Sequence, residues 1–193
     1  PLQESYVKLA AGVAGDVDEQ VIRPIATPFF GSRSASKAST KGTSSISETY
    51  DLSSWTLKAS ASASGLSGRW SAGSEGAWIF KTDVDVATIA GGFLKAETTG
   101  QTDNWLYAAL TDLTMGTVLF ESNQQDRATA TNYVLGGLTG SEHASFVGSL
   151  SNVLASGHTY RLLYRVYAGT EADSISGSMT FADISLQAVP EPA

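Results

Sequence analysis

The feature that most constrains this chain is a strict alternation over residues 55–64. Trp55, Leu57, Ala59, Ala61 and Ala63 interleave with Thr56, Lys58, Ser60, Ser62 and Ser64. In an extended strand successive side chains point to opposite faces, so a period of two puts every apolar group on one side. A helix would scatter the same residues around its circumference. One face must be buried and the other wetted, as in an antiparallel sheet covered on a single side.

The same period recurs along the 193 residues. Tyr160, Leu162, Tyr164, Val166 and Ala168 alternate with Thr159, Arg161, Leu163, Arg165 and Tyr167. After the connection Gly169-Thr170-Glu171-Ala172-Asp173, the pattern resumes at Ile175, Gly177, Met179 and Phe181, so the two segments read as a β-hairpin. The phase slips at Ala182-Asp183, where Ile184, Leu186 and Ala188 take over, and a β-bulge is expected there. Further strands are expected at residues 6–13, 21–26, 45–52, 77–89, 93–98, 104–110, 116–122, 133–138 and 144–150, and a short helix at 123–130. Gly91-Gly92, Asp103-Asn104 and Gly136-Gly137 punctuate junctions. Many short strands with turns between them predict an all-β fold, an antiparallel two-sheet sandwich of jelly-roll type. The expected organisation is an N-terminal strand segment (1–26), a sandwich domain (27–188) and a short terminal motif (189–193).

Two segments depart from the common pattern. Residues 32–74 hold 15 serines in 43 positions, which read either as a flexible linker or as an exposed face of small side chains on real strands; the alternation from Trp55 onward favours strands for the second half. Residues 31–43 are expected as a solvated loop, whose Arg33, Lys37 and Lys41 could also dock an acidic neighbour. At the N-terminus, Val7, Leu9, Ala11 and Val13 share one face. Such a strand either joins its own sheet or completes the sheet of a neighbouring subunit by β-augmentation.

Composition narrows the function. A net charge of −7 disfavours nucleic acid and anionic membrane surfaces, which attract lysine and arginine stripes. The absence of cysteine removes disulfides, thiolate zinc sites and thiol nucleophiles. Only two histidines, His143 and His158, are present to serve imidazole chemistry, and both read as surface or turn residues. Phosphate-binding glycine loops, a GxSxG elbow and HExxH are all missing. Glycoside hydrolysis needs only two acids, for which Glu75, Glu97, Asp103, Asp112, Glu121 and Asp126 are candidates, though all read as solvated acids at strand ends. No cofactor is expected except calcium, for which Asp16 and Asp18, and Asp83 and Asp85, offer hard oxygen ligands on one face. Trp70, Trp105 and Tyr107 are candidate sugar contacts, but Trp55, Trp78 and Trp105 fall in period with apolar neighbours and read as core ahead of platform.

The chain opens PLQESY, without methionine, a basic n-region or an apolar h-region, and so reads as trimmed. It ends on Val189, Pro190, Glu191, Pro192 and Ala193. Preceded by GHTYRLLYRVYAG, by SISGSMTFADISLQA and by a Ser/Ala-rich, cysteine-free body, this ending resembles the PEP-CTERM family of exosortase-sorted exported proteins. The resemblance implies export by a Gram-negative bacterium, transient membrane contact through a removed sorting helix, and residence at the cell surface or in extracellular matrix. It carries over no catalytic residue. The expected function is a secreted, non-enzymatic structural protein of a biofilm matrix, whose partner is itself, assembling into oligomers or filaments by strand exchange through residues 6–13. The alternative is a carbohydrate-binding sandwich of an exopolysaccharide matrix.

Overall fold

A computed structural model describes residues 2–13, 16–22, 30–51, 56–65, 69–99, 102–126, 131–135, 144–170 and 176–189. Fourteen strands account for nearly all of them: β1 (Leu2–Val13), β2 (Asp16–Ile22), β3 (Phe30–Ser39), β4 (Gly42–Asp51), β5 (Thr56–Gly65), β6 (Trp70–Lys81) and β7 (Val86–Thr99). The remainder are β8 (Thr102–Asp112), β9 (Thr117–Asp126), β10 (Thr131–Val134), β11 (Ala144–Gly148), β12 (Ser151–Leu154), β13 (Thr159–Thr170) and β14 (Ser176–Ala188). They form an antiparallel β-sandwich. One sheet runs β11-β9-β8-β13-β6-β1-β2, and the other β10-β7-β14-β5-β4-β3 with β12 also along β7.

The alternation in β6 and β13 decides what lies between the sheets. Even-numbered residues of both strands turn inward and odd-numbered ones outward through most of their length. Trp78, Tyr160, Tyr164, Phe120, Leu106 and Leu110 are completely enclosed, with Ile46 and Leu154 covering them from the second sheet. Trp78 meets Tyr164 edge-on at 6.0 Å, and Phe80 lies 5.7 Å from Tyr160. Such ring pairs add to the burial of apolar area that drives the sheets together.

Several expectations are corrected by the tertiary arrangement. β13 and β14 are not a hairpin: β13 is flanked by β6 and β8, and β14 by β5 and β7. The chain crosses from one sheet to the other between them, so both strands bury apolar faces in one core. No bulge interrupts β14 at Ala182-Asp183, where its register is continuous against both neighbours. Shifts occur instead between Gln3 and Tyr6 and between Leu110 and Thr111. The loop expected at 31–43 is a hairpin of β3 and β4, its turn tied by the Lys41 N–H donating to Ser39 Oγ at 3.0 Å. Its inward positions include Ala35 and Ser44, too small to register as a hydrophobic stripe. The described part of the expected helix at 123–130 continues β9, whose Gln124 is buried and pairs with Leu106. The strand expected at 77–89 is broken by a turn at Asp83 and Val84, while β7 runs unbroken through Gly91-Gly92.

β1 lies inside its own sheet, between β6 and β2. Val7, Leu9, Ala11 and Val13 stand in register with Gly76, Ser74, Ala72 and Trp70. At the edge, Lys37 of β3 pairs with Asp16 of β2 at 2.6 Å, so part of the basic stretch finds its acidic neighbour within the chain.

One buried acid joins the sheets. Glu48 of β4 points inward at 2% exposure. It accepts the Tyr164 hydroxyl at 2.6 Å on one oxygen and the Ser74 hydroxyl on the other. Burial pushes its pKa up to about 7 against the pull of those two bonds. Tyr164 can adopt this position because its register partner is Gly76, where a Cβ would run into the phenol ring. Gly76→Ala should therefore cost about 1–3 kcal/mol in urea unfolding. Because the folded state holds the Glu48 proton more tightly than the unfolded chain, its contribution is complete below about pH 4.5 and is lost as pH rises through about 7. Glu48→Gln should flatten that decline, measured as unfolding midpoint against pH.

Candidate functional site

The odd-numbered residues of β13 leave the core for the outer face of the same sheet, and there the ladder lines them up with their neighbours. Tyr167 stands between Gly73 of β6 and Trp105 of β8. One row along, Arg165 stands between Glu75 and Tyr107, and Tyr107 is in turn opposite Asn123 of β9. Two rows of aromatic and charged side chains therefore cross four strands.

The Trp105 and Tyr107 rings are each held by a polar partner. The Trp105 indole N–H donates to Asn123 Oδ1 at 2.5 Å, and the Tyr107 hydroxyl donates to Glu121 Oε2 at 3.0 Å. The two rings are tilted at 59° with centroids 6.3 Å apart. The Arg165 guanidinium sits 5.5 Å from the Trp105 ring and 5.9 Å from that of Tyr107, within cation–π range. Its Nε donates to Glu75 Oε2 at 2.5 Å. Partial burial, then the Glu121 bond and charge, raise the Tyr107 pKa, with Arg165 and Arg161 pulling the other way.

Beside these rings lies an open cleft of about 290 Å³, lined by Ser71, Gly73, Glu75, Trp105, Arg165 and Tyr167 among others. Gly73 keeps it open. A Cβ there would press on the Val166 carbonyl and approach the Tyr167 ring.

Trp105 and Tyr107, expected as sugar contacts, are half-buried on this face. Trp70 is not: at 3% exposure it belongs to the interior, because it occupies an inward position of β6. Its backbone N–H donates to Thr170 Oγ1 at 3.0 Å, and its indole occupies the space a side chain at Gly42 would need. Trp78 is core, and Trp55 lies outside the described residues. Tyr167, Arg165 and Gly73 were missed as site residues. The odd parity of residues 159–167 places Arg165 and Tyr167 on one face, but nothing in the sequence says that β8 and β6 flank them.

The acids divide by place. Glu75 and Glu121 lie on the outer face, bonded to Arg165 and Tyr107. Asp112 is buried at the end of β8. It accepts from the Thr114 and Met115 amides at 2.9 and 3.1 Å and meets His158 Nδ1 at 2.7 Å. Burial pushes the Asp112 carboxyl up, but the His158 and amide bonds outweigh it and hold it below its usual value. His158 is thus half-buried against Tyr160, and both groups pin the β8–β9 turn. Glu97, Asp103 and Asp126 lie within β7, β8 and β9, with side chains outside the described set; His143 is wholly outside it.

Of the calcium candidates, Asp85 accepts the Ser156 amide at 2.7 Å, and the Asp83 carbonyl accepts the Ser156 hydroxyl at 2.8 Å. Asp16 is paired with Lys37, and Asp18 stands opposite Ala11. Among the described residues no three acids or histidines converge on a common point. Val189 of the terminal motif donates its N–H to the Ala87 carbonyl at 2.8 Å, while Pro190, Glu191, Pro192 and Ala193 lie outside the described residues.

No family model and no curated protein matches this chain.

The placement of the tryptophans has a direct readout. Trp70 and Trp78 are sealed in the core, whereas Trp105 faces solvent. Trp105→Phe should remove an acrylamide-quenchable component of the emission. Arg165→Ala should make that component more quenchable while lowering stability by less than about 1 kcal/mol.

Proposed function

We propose that the protein is a non-enzymatic, carbohydrate-binding β-sandwich, exported and resident at the cell surface or in an extracellular polysaccharide matrix. The observation that carries this reading is the half-exposed group of Trp105, Tyr107 and Tyr167 beside the cleft of about 290 Å³. Aromatic rings are large apolar groups that a sandwich ordinarily buries. Held upright on an outer face, they offer flat surfaces to the C–H faces of sugars, while Glu75, Arg165 and Ser71 supply donors and acceptors for hydroxyls. Glu75 and Glu121 are each committed to a protein partner, which favours binding over acid–base chemistry. The resemblance of residues 189–193 to the PEP-CTERM motif supports export.

Affinity electrophoresis through gels containing neutral or acidic polysaccharides tests the reading. The parent protein should be retarded by at least one polymer. Trp105→Ala and Tyr167→Ala should each weaken retardation by about tenfold while still unfolding in one cooperative transition. Free migration in every polymer, or variants that migrate like the parent, would overturn it.

Self-assembly through the N-terminal strand is a second reading, in which β1 pairs with β6 of a neighbouring copy in the register it holds here within its own chain. The chain has no cysteine, so an engineered pair reports directly. Ala11 and Ala72 are register partners. Oxidised Ala11→Cys/Ala72→Cys should give a covalent ladder on a denaturing gel if β1 is exchanged between copies. A cross-linked monomer alone would exclude exchange.

A further inference from the structure

We propose that the occupant of this face is an acidic polysaccharide, whose uronate carboxylates are taken by Arg161 and Arg165 while its rings stack on the neighbouring aromatics. This deepens the carbohydrate-binding reading and rests on it. The first ground is the way Arg161 is held. Arg161 lies on the outward row of β13, and its Nε is buried without a hydrogen-bond partner among the described residues. That enclosed Nε anchors the side chain by packing, so a carboxylate arriving from solvent would meet the terminal N–H groups of the planar fork.

The second ground is the arrangement of charge. Arg161 and Arg165 lie on the same outward row of β13, in register with Thr111 and Tyr107 of β8. Four residues of strand separate them, about 13 Å, so they reach different sugar units of one extended chain. Between them Leu163 is flanked in register by two small residues, Ala77 and Ala109. Exposed Lys81, in register with Thr159, prolongs the cationic line. These cations gather on one face of a chain whose net charge is −7. The acids beside them, Glu75 and Glu121, already accept hydrogen bonds from Arg165 and Tyr107. One carboxylate per sugar suits a line of separated arginines, whereas the denser phosphates of nucleic acid call for more cations.

Isothermal titration against polygalacturonate and alginate, and against the same polymers after carboxyl reduction, tests the proposal at about 0.1 M and 1 M NaCl, where the screening length is about 10 and 3 Å. A polyuronate should bind at least about tenfold tighter than its reduced form, and the preference should shrink at high salt. Arg161→Gln should remove most of the preference without changing affinity for the reduced polymer, and Arg161→Lys should retain part of it. Equal affinity for both forms, abolished by Trp105→Ala, would overturn the acidic ligand and leave the carbohydrate platform standing. Absence of binding to either form would overturn both for these polymers. Polyuronate binding unchanged in Arg161→Gln, with the parent's thermal unfolding, would overturn the role given to Arg161.

Discussion

β13 is hydrogen-bonded along nearly its whole length to β6 on one side and β8 on the other, and that double ladder leaves its side chains only two directions. Tyr160, Leu162, Tyr164, Val166 and Ala168 go inward and become the middle of the core. Arg161, Leu163, Arg165 and Tyr167 go outward and become the middle of the candidate site. The two sets cannot be varied independently in register. Slipping β13 by one residue would put two arginines into the core and strip the outer face of its charge. Core packing therefore fixes the register that assembles the site.

Glu48 restrains the second dimension, the placement of one sheet over the other. Its bonds to Tyr164 and Ser74 reach from β4 to β13 and β6. A buried acid is a poor source of stability, since desolvation offsets much of what its hydrogen bonds contribute. Its geometry is nevertheless specific. Sliding the sheets would leave a carboxyl and a phenol unpaired in an apolar interior. Gly76 is part of the same arrangement, because only a residue without a Cβ leaves room for the Tyr164 ring.

The failures of sequence reading share one cause. Alternation specifies which way a side chain points but not which strand comes next to it. β13 and β14 are adjacent in sequence and equally well patterned, so a hairpin is the economical inference, yet they lie in opposite sheets. β3 carries no visible stripe because Ala35, which it contributes to the enclosed core cluster, is small. Trp70 and Trp105 look alike in the sequence, each close to a turn and to small residues. They differ only in parity within their strands, and parity has meaning only once the inward face is known.

What the sequence determined by itself was the fold class, the two-faced character of its strongest strands and the exclusion of cysteine chemistry, because these follow from local period and composition. The tertiary structure decided which strands are neighbours, and with that the company each outward residue keeps. Arg165 is 60 positions from Trp105 and 90 from Glu75, yet it touches both, through cation–π contact and an ion pair. A site made of side chains from parallel rows on separate strands depends on non-local pairing. No stretch of sequence short enough to show a pattern contains it.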